Sequence, residues 1–375
     1  MLFVKSIMST NSMTRSPSAQ ARLATIQTLL IMMPMGMWGP PALLREAIIV
    51  QNQFALLIRD HGLLTPHILG SQTNWEDWIL LESDCRTKCI AYCFFNLHSI
   101  AYDTPPVLRT SEMKINLPHC SDEWRAANNE EWNLARRNNP QSSLSFQHTL
   151  SNLFAGVQDN IPPISSLANY VLVHAIIQQI YAVRQTTIMT GPSTRNGRLP
   201  PEDIEKFGQV LRLWQIGWEK APESSLDPTN PYGPVAFSFT ALLRLAYIRL
   251  HCDLGPCRGL DTRDPQVIAR TLKASPPLTR SPQLSRAILQ AAHALSIPVK
   301  IGIKFVTHTQ TLLWSMQHSL ANLECAFLLS KFCIMDFLLA VADNSRQMAL
   351  YDCGLNVRPH SRRKQSLRDG TKYCW

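Results

Sequence analysis

The chain has 375 residues, of which 45% are apolar and 17% charged, and its formal net charge is +9 at pH 7. This composition is that of a globular protein with a large core, and it is too apolar for a chain that stays disordered. The 25 prolines separate apolar segments, only 15 glycines are present, and strand-joining pairs such as Asn-Gly are nearly absent. We therefore predict an all-α fold, a large irregular bundle of about ten or more helices without significant sheet.

The predicted elements follow in chain order as helices separated by clusters of glycine and proline. Residues 1–18 are polar and expected to be disordered, residues 19–345 form the helical body, and residues 346–375 form a basic, disordered tail. Candidate soft boundaries within the body lie near 190–201 and 221–234. Helices are expected near 19–37, 40–60, 75–106, 121–138, 167–189, 202–220, 237–252, 265–273, 283–296 and 300–342, the last broken once or twice.

The stretch from Trp75 to Pro106 is predicted to be one long helix with a defined start and end. Thr73 and Glu76 have the Thr-x-x-Glu spacing of a capping box, in which each side chain bonds an amide of the first turn. Pro105 and Pro106 disfavour helical geometry in the residues before them and are expected to end the helix.

The same helix carries two pairs of opposite charges one turn apart, Glu82 with Arg86 and Asp84 with Lys88. Each pair has its acid on the N-terminal side, which is the more favourable order on a helix. We interpret both as ion pairs on a solvated face.

Cys85, Cys89 and Cys93 form a stripe along this helix at intervals of four residues. Three thiolates could ligate a soft metal, but zinc sites usually combine two cysteine pairs from turns, and no second pair lies nearby. Buried free cysteine packs as a small hydrophobic residue. We therefore interpret the stripe as core.

A second cluster, His251-Cys252-Asp253 with Cys257, could be a metal or nucleophile site. It lies at the end of a predicted helix and has no identified catalytic partner. The structural interpretation is favoured here too.

Five histidines lie on predicted helices and are expected to be hydrogen-bonded packing residues: His98, His174, His293, His308 and His318. The sequence has no His-Glu-x-x-His, Gly-x-Ser-x-Gly, Walker or Gly-x-Gly-x-x-Gly motif. It also has no two-Cys, two-His finger and no six-cysteine cluster for reading DNA. We therefore assign no catalytic, cofactor-binding or metal-binding residue and expect no enzymatic activity.

Positive charge is densest in the tail, at Arg358, Arg362, Arg363, Lys364, Arg368 and Lys372. A solvated tail is the favoured interpretation, with a nuclear-import patch or a non-specific phosphate contact as alternatives. The N terminus lacks the features of a secretory signal, and the longest apolar stretch, 325–342, is interrupted by Lys331 and Asp336. We expect an intracellular protein without a membrane partner, whose ten cysteines are free thiols.

Several separated blocks, in order over roughly residues 20–340, resemble the fungal-specific transcription factor domain, or middle homology region, of the kind found behind two N-terminal zinc fingers. The blocks are Trp75-x-x-Trp78, Glu82-Ser83, Arg86-Thr87, Tyr92-Cys93-Phe94-Phe95, Asp103-Thr104-Pro105-Pro106, Leu117-Pro118 with Glu123-Trp124, ALLREAI (42–48), NYVLVHAIIQQI (169–180), YIRLHCDLGPCR (247–258), HALSIPVKIGIKFV (293–306) and QHSLANLECAFLLSKF (317–332).

The resemblance implies an all-helical regulatory and interaction domain of a nuclear transcription regulator acting on RNA polymerase II genes, without catalytic residues. It also implies that DNA and zinc are bound by N-terminal fingers that this chain lacks, so no cofactor is expected here. The partners it implies are the transcription machinery or other protein domains, a second copy of the chain, or a small apolar effector between helices.

Two alternatives stay open from the sequence. The chain could be a truncated or mis-assigned gene product without autonomous DNA binding. A helical small-molecule-binding protein or enzyme is less favoured, because no acid–base pair, nucleophile constellation or metal motif is present.

Overall fold

The protein is described here from a computed structural model, which covers residues 18–64, 74–138, 143–157, 164–190, 198–225, 232, 235–252, 258–275, 278, 284–309 and 315–352. This part of the chain contains thirteen helices and no strand, which confirms the all-α prediction. Two isolated bridges pair single residues, Leu64 with Lys114 and Asn116 with Ser145.

The first half of the chain contains seven of the helices. They are α1 (Ala19–Met37), α2 (Pro41–His61), α3 (Trp75–Tyr102), α4 (Ser121–Arg125), α5 (Asn129–Asn138), α6 (Phe146–Ala155) and α7 (Ser166–Thr190). The helix α6 was not predicted. Ser145 caps it, because its hydroxyl accepts a hydrogen bond from the backbone N–H of His148, and Gly156 ends it in the left-handed conformation.

The second half contains the other six. They are α8 (Pro201–Lys220), α9 (Val235–His251), α10 (Pro265–Ala274), α11 (Leu284–Ile301), α12 (Ile303–Thr309) and α13 (Met316–Asp352). The helix α11 continues through Pro298, past the predicted end at 296. The stretch predicted as 300–342 is interrupted at Gly302, where φ is +102°, which confirms a break.

The helix α7 lies at the centre of the fold and packs against α3, α8 and α9. Within the described residues it alone has the length and hydropathy needed to cross a membrane, with a mean hydropathy of 1.2. However, 67% of that apolar window is buried inside the protein. Helix α7 is therefore the core helix, and it is a closer match to a membrane span than the stretch singled out from the sequence.

One apolar core continues past both candidate soft boundaries, 190–201 and 221–234. It includes buried residues from Ile26 to Ala321, and α8, which lies between the two boundaries, packs against α6, α7 and α9. After Leu329 the chain divides into a second compact unit, and α13 continues to Asp352. Residues 1–17 and 353–375, which include most of the segments predicted to be disordered, lie outside the described residues.

The start of α3 differs from the prediction. Its N-cap is Asn74, whose side-chain oxygen accepts a hydrogen bond of 2.7 Å from the backbone N–H of Asp77. The prediction of a capping box on Thr73 and Glu76 is wrong, because the helix begins one residue later than that spacing requires. The helix ends at Tyr102, before the two prolines, and Asp103 takes the left-handed conformation.

Both predicted ion pairs of α3 form: Nε of Arg86 lies 2.7 Å from Glu82, and Nζ of Lys88 lies 2.5 Å from Asp84. The prediction that they lie on a solvated face is wrong, since Glu82 and Lys88 are 4% and 3% exposed. Helix α1 packs against α3, and the segment after α3 returns over it, so that Arg86 also donates to the carbonyl of His119. Helix α3 is therefore covered by other parts of the chain at Glu82 and Lys88, where the charge pattern predicted exposure to solvent.

The cap of α3 can be tested by substitution. We expect Asn74→Ala to lower the free energy of unfolding by about 1 kcal/mol, because an amide of the first turn loses its hydrogen bond. Urea denaturation followed by circular dichroism measures this change. The matched control is Thr73→Ala, and an equal or larger loss in that variant would restore the capping box.

Candidate functional site

The cysteine stripe of α3 is part of the core, as predicted. Cys89 and Cys93 are buried, and the half-buried Cys85 donates through its thiol to the carbonyl of Asn116 at 3.2 Å. Burial raises the pKa of the Cys93 thiol well above its ordinary value. Contact with Cys89, together with burial, raises the pKa of Cys85 in the same way. The thiols of Cys85 and Cys93 stay protonated at neutral pH, and a protonated thiol is a poor nucleophile and metal ligand.

The second cluster lies only partly within the described residues. His251 is half-buried at the end of α9 and Cys252 is buried, whereas Asp253 and Cys257 lie outside the described ranges. In the part of the chain that the structure covers, no group of three or more His, Cys, Asp or Glu side chains is arranged to hold a metal ion.

The five histidines do not share one environment. His98, His174 and His318 are buried, while His293 and His308 are exposed. His318 follows the expectation, because its ring lies 3.1 Å from the hydroxyl of Ser315.

The prediction that His98 and His174 are hydrogen-bonded packing residues is wrong in one respect, since in the described part of the chain their rings pack without hydrogen bonds. Neither ring has a hydrogen-bond partner among the described atoms, and each packs against a tyrosine ring, with centroids 4.6 Å apart. Burial lowers the pKa of His98 to about 4, with Arg263 adding to the effect. Burial alone lowers the pKa of His174 to about 3. Both rings are therefore neutral at pH 7 and serve as aromatic packing.

His174 borders a small cavity between α3, α7 and α9, together with Asn96, Gln178 and Arg249. Its volume is about 30 Å³, which is room for one or two water molecules. The cavity is too small for the apolar effector that the sequence analysis placed between helices.

A buried polar network holds the chain segment after α3 against α7. The side-chain oxygen of Gln178 accepts from the backbone N–H and the hydroxyl of Thr110, at 2.6 and 2.7 Å. Its amide nitrogen donates to the side chain of Asn96 and to the carbonyl of Leu108. Tyr92 lies 2.8 Å from the Thr110 hydroxyl. These bonds satisfy both polar atoms of the Gln178 side chain and fix the position of Thr110 against α7.

A second buried polar cluster is charged. The carboxylate of Glu324 on α13 lies 2.7 Å from Nη2 of Arg249 on α9 and 2.8 Å from Nη1 of Arg258. Arg249 also donates to the carbonyl of Ile100 on α3 at 3.0 Å. Glu324 and Arg258 are each 1% exposed. The cluster therefore joins three distant parts of the chain at one carboxylate.

The guanidinium groups keep Glu324 ionised. Burial by itself raises the pKa of this carboxyl group, but Arg249 and Arg258 outweigh burial and hold the pKa below its ordinary value. Sequence reasoning missed this site because Arg258 and Arg249 lie 66 and 75 residues before Glu324 in the chain. The available signal was the arginine at position 249 within the apolar run of α9.

Comparison with known protein families gives two matches to this sequence. The sequence profile of the fungal specific transcription factor domain matches residues 18–199, and that of the fungal transcription factor C-terminal domain matches residues 253–346. The chain contains the fungal-specific transcription factor domain. No curated protein and no solved structure gives a significant match.

The two matched domains confirm the resemblance noted in the sequence and indicate a fungal transcription regulator. The Glu324 cluster connects the two matched regions. Ile100 lies in the first and Glu324 and Arg258 in the second, while Arg249 belongs to the 200–252 segment between them.

Removal of the buried carboxylate should be costly. We expect Glu324→Ala to lower the free energy of unfolding by about 3–5 kcal/mol, because it leaves two guanidinium groups buried without their partner. The control is Glu202→Ala, which removes an exposed carboxylate from the first turn of α8 and should cost about 1 kcal/mol or less. Thermal and urea denaturation measure both, and equal losses would contradict the role given to Glu324.

The buried neutral histidine predicts a pH dependence of stability. The pKa of His174 is about 3 in the folded protein, below its ordinary value of 6.5, so the unfolded chain binds the proton first as the pH falls. Its contribution to stability is complete above pH 6.5 and is lost between that pH and about 3. At pH 5 the loss is about 2 kcal/mol.

We therefore expect His174→Phe to reduce the difference in unfolding free energy between pH 8 and pH 5 by about that amount. His308→Phe changes an exposed ring and serves as the control. Urea denaturation at the two pH values measures the effect, and an unchanged difference in His174→Phe would refute it.

Proposed function

We propose that this helical body is the regulatory and interaction domain of a fungal RNA polymerase II transcription regulator that acts in the nucleus. The observation that carries the proposal is the pair of family matches, which lie on helices joined by one core and by the Glu324 cluster. DNA recognition and zinc binding are assigned to a separate zinc-finger module, as the resemblance implies.

We also propose that the chain is not an enzyme. Cys85 and Cys93 of α3 are held as thiols, because burial raises the pKa of both and contact with Cys89 adds to the rise at Cys85. His98 and His174 are neutral and packed against tyrosine rings. These environments suit packing rather than proton transfer or nucleophilic attack, which need an accessible group with a pKa near the working pH.

Exposed apolar side chains on the first two helices support binding to other proteins. Ile31 and Met35 are one turn apart on α1 and are 76% and 74% exposed. Ile49 and Leu56 on α2 are exposed as well, and α1 packs against α2. Ile31 and Met35, exposed one turn apart on α1, are therefore proposed as a protein contact site. The proposed partners are domains of the transcription machinery, with self-association as a further outcome of the test.

A reporter assay tests this proposal. The full chain is fused to a heterologous DNA-binding domain, and we expect reporter output to differ at least about threefold from that of the DNA-binding domain alone. The double variant Ile31→Asp, Met35→Asp should bring output back toward that baseline, because charge on the exposed surface opposes apolar docking.

The matched control adds the same charge at two exposed polar positions, Gln20→Asp and Gln209→Asp. It should leave reporter output unchanged. A fusion that neither activates nor represses would count against the regulatory role, and equal effects of the two double variants would count against the surface on α1.

A further inference from the structure

A cleft of about 320 Å³ lies between α8, α9 and α11. That is the size of site that holds a small organic molecule. Leu250 and Ile204 give it an apolar side, and Arg212 on α8 and Arg286 on α11 give it a charged side. No function assigned so far uses it.

The two arginines differ from the others that have been discussed. Arg86, Arg249 and Arg258 each contact a carboxylate. Arg212 and Arg286 are exposed and have no hydrogen bond or ion pair within the described part of the chain. Their donors are therefore available to a bound molecule, and a guanidinium group matches a carboxylate in a two-point contact.

Both guanidinium groups act on the same buried hydroxyl, that of Tyr247. Burial raises the pKa of Tyr247, and Arg286 and Arg212 oppose that rise. Next to it, burial lowers the pKa of His251 to about 4, with further lowering by Arg184 and Arg286. The positive potential of the cleft thus reaches its inner wall, where His251 is neutral at pH 7 and can still donate or accept a hydrogen bond.

Glu205 is the one carboxylate among the described residues that line the cleft. It is exposed and forms no ion pair with either arginine in that part of the chain. Among the described residues that line the cleft, two guanidinium groups accompany one carboxylate, so these residues carry a net positive charge.

Gly208 keeps the cleft open. It lies in the interior of α8, where glycine is less favourable than alanine, and it lines the cleft. No described atom lies within 4 Å of the position that a Cβ would take. A larger side chain would fit the helix but occupy the cleft, so the glycine costs helix stability and preserves volume.

We propose that this cleft binds a small organic carboxylate with an apolar body, its charged end at Arg212 and Arg286 and its apolar body along Leu250 and Ile204. As an effector site the proposal rests on the regulatory function above and names the chemical class of the effector. It replaces the apolar effector expected from the sequence with an anionic one, because Arg212 and Arg286 have no hydrogen bond or ion pair within the described part of the chain.

The test is titration of the purified full chain with 2-naphthoate and with its neutral isostere 2-naphthamide, followed by calorimetry. We expect saturable binding of the carboxylate and binding of the amide weaker by about tenfold. Raising NaCl from about 0.05 M to about 0.5 M should weaken carboxylate binding, because the arginines are exposed to screening. No saturable binding of 2-naphthoate, or equal affinity for both compounds, would overturn the proposal.

Variants locate the site. Arg212→Gln and Arg286→Gln should each weaken 2-naphthoate binding by about tenfold, and Arg45→Gln, an exposed arginine on α2, should leave it unchanged. Gly208→Leu should abolish binding by filling the cleft. Gly208→Ala should weaken binding and raise Tm by about 2 °C. Full binding in the Gly208→Leu or in both arginine variants would place the ligand elsewhere and refute the assignment.

This measurement is independent of the reporter assay. If 2-naphthoate binds but does not change the reporter output of the fusion, the cleft is a binding site without a regulatory role. That result overturns the effector assignment alone. If the fusion changes reporter output but the chain does not bind 2-naphthoate, the proposed function stands and the assignment of the cleft as a ligand site is refuted.

Discussion

The arrangement of the second half of the protein depends on the buried ion pairs that Glu324 forms with Arg249 and Arg258. A carboxylate removed from water is stable only where opposite charges and hydrogen bonds replace its hydration. Here Arg249 and Arg258 supply both, and Arg249 extends the cluster to the carbonyl of Ile100. Arg184 from the core helix α7 donates in turn to the carbonyl of Arg249. Helices α3, α7, α9 and α13 therefore converge on one ionised group.

The cluster and the proposed ligand cleft share helix α9. Arg249 bonds Glu324, and His251, two residues further, lines the cleft. Arg184 contacts Arg249 and also lowers the pKa of His251. A molecule bound in the cleft would lie against the same helical turn that connects the two family-matched regions. An effector would therefore act on the last turn of α9, and not through the small cavity between α3, α7 and α9.

Sequence patterns predicted the helices well because the signals that start and stop helices are local. Clusters containing proline or glycine separate α1 from α2, and the predicted bounds of these helices agree with the structure to within a residue. The same reasoning failed for α6, which it did not predict, and for the cap of α3, where Thr73 and Asn74 are both plausible from type alone. It also failed for Glu82 and Lys88, because opposite charges one turn apart look the same on a wet face and on an enclosed one.

The sequence by itself determined the all-α class, most helix boundaries, the core character of the cysteine stripe and the family, since each depends on residues close together in the chain. The tertiary structure alone decided which charges are buried, that His98 and His174 are neutral rings, and that Glu324 meets arginines 66 and 75 residues away. It also brought Arg212 and Arg286 to one cleft beside Gly208. The physical reason is that solvation and charge pairing depend on neighbours in space, which helical periodicity does not specify.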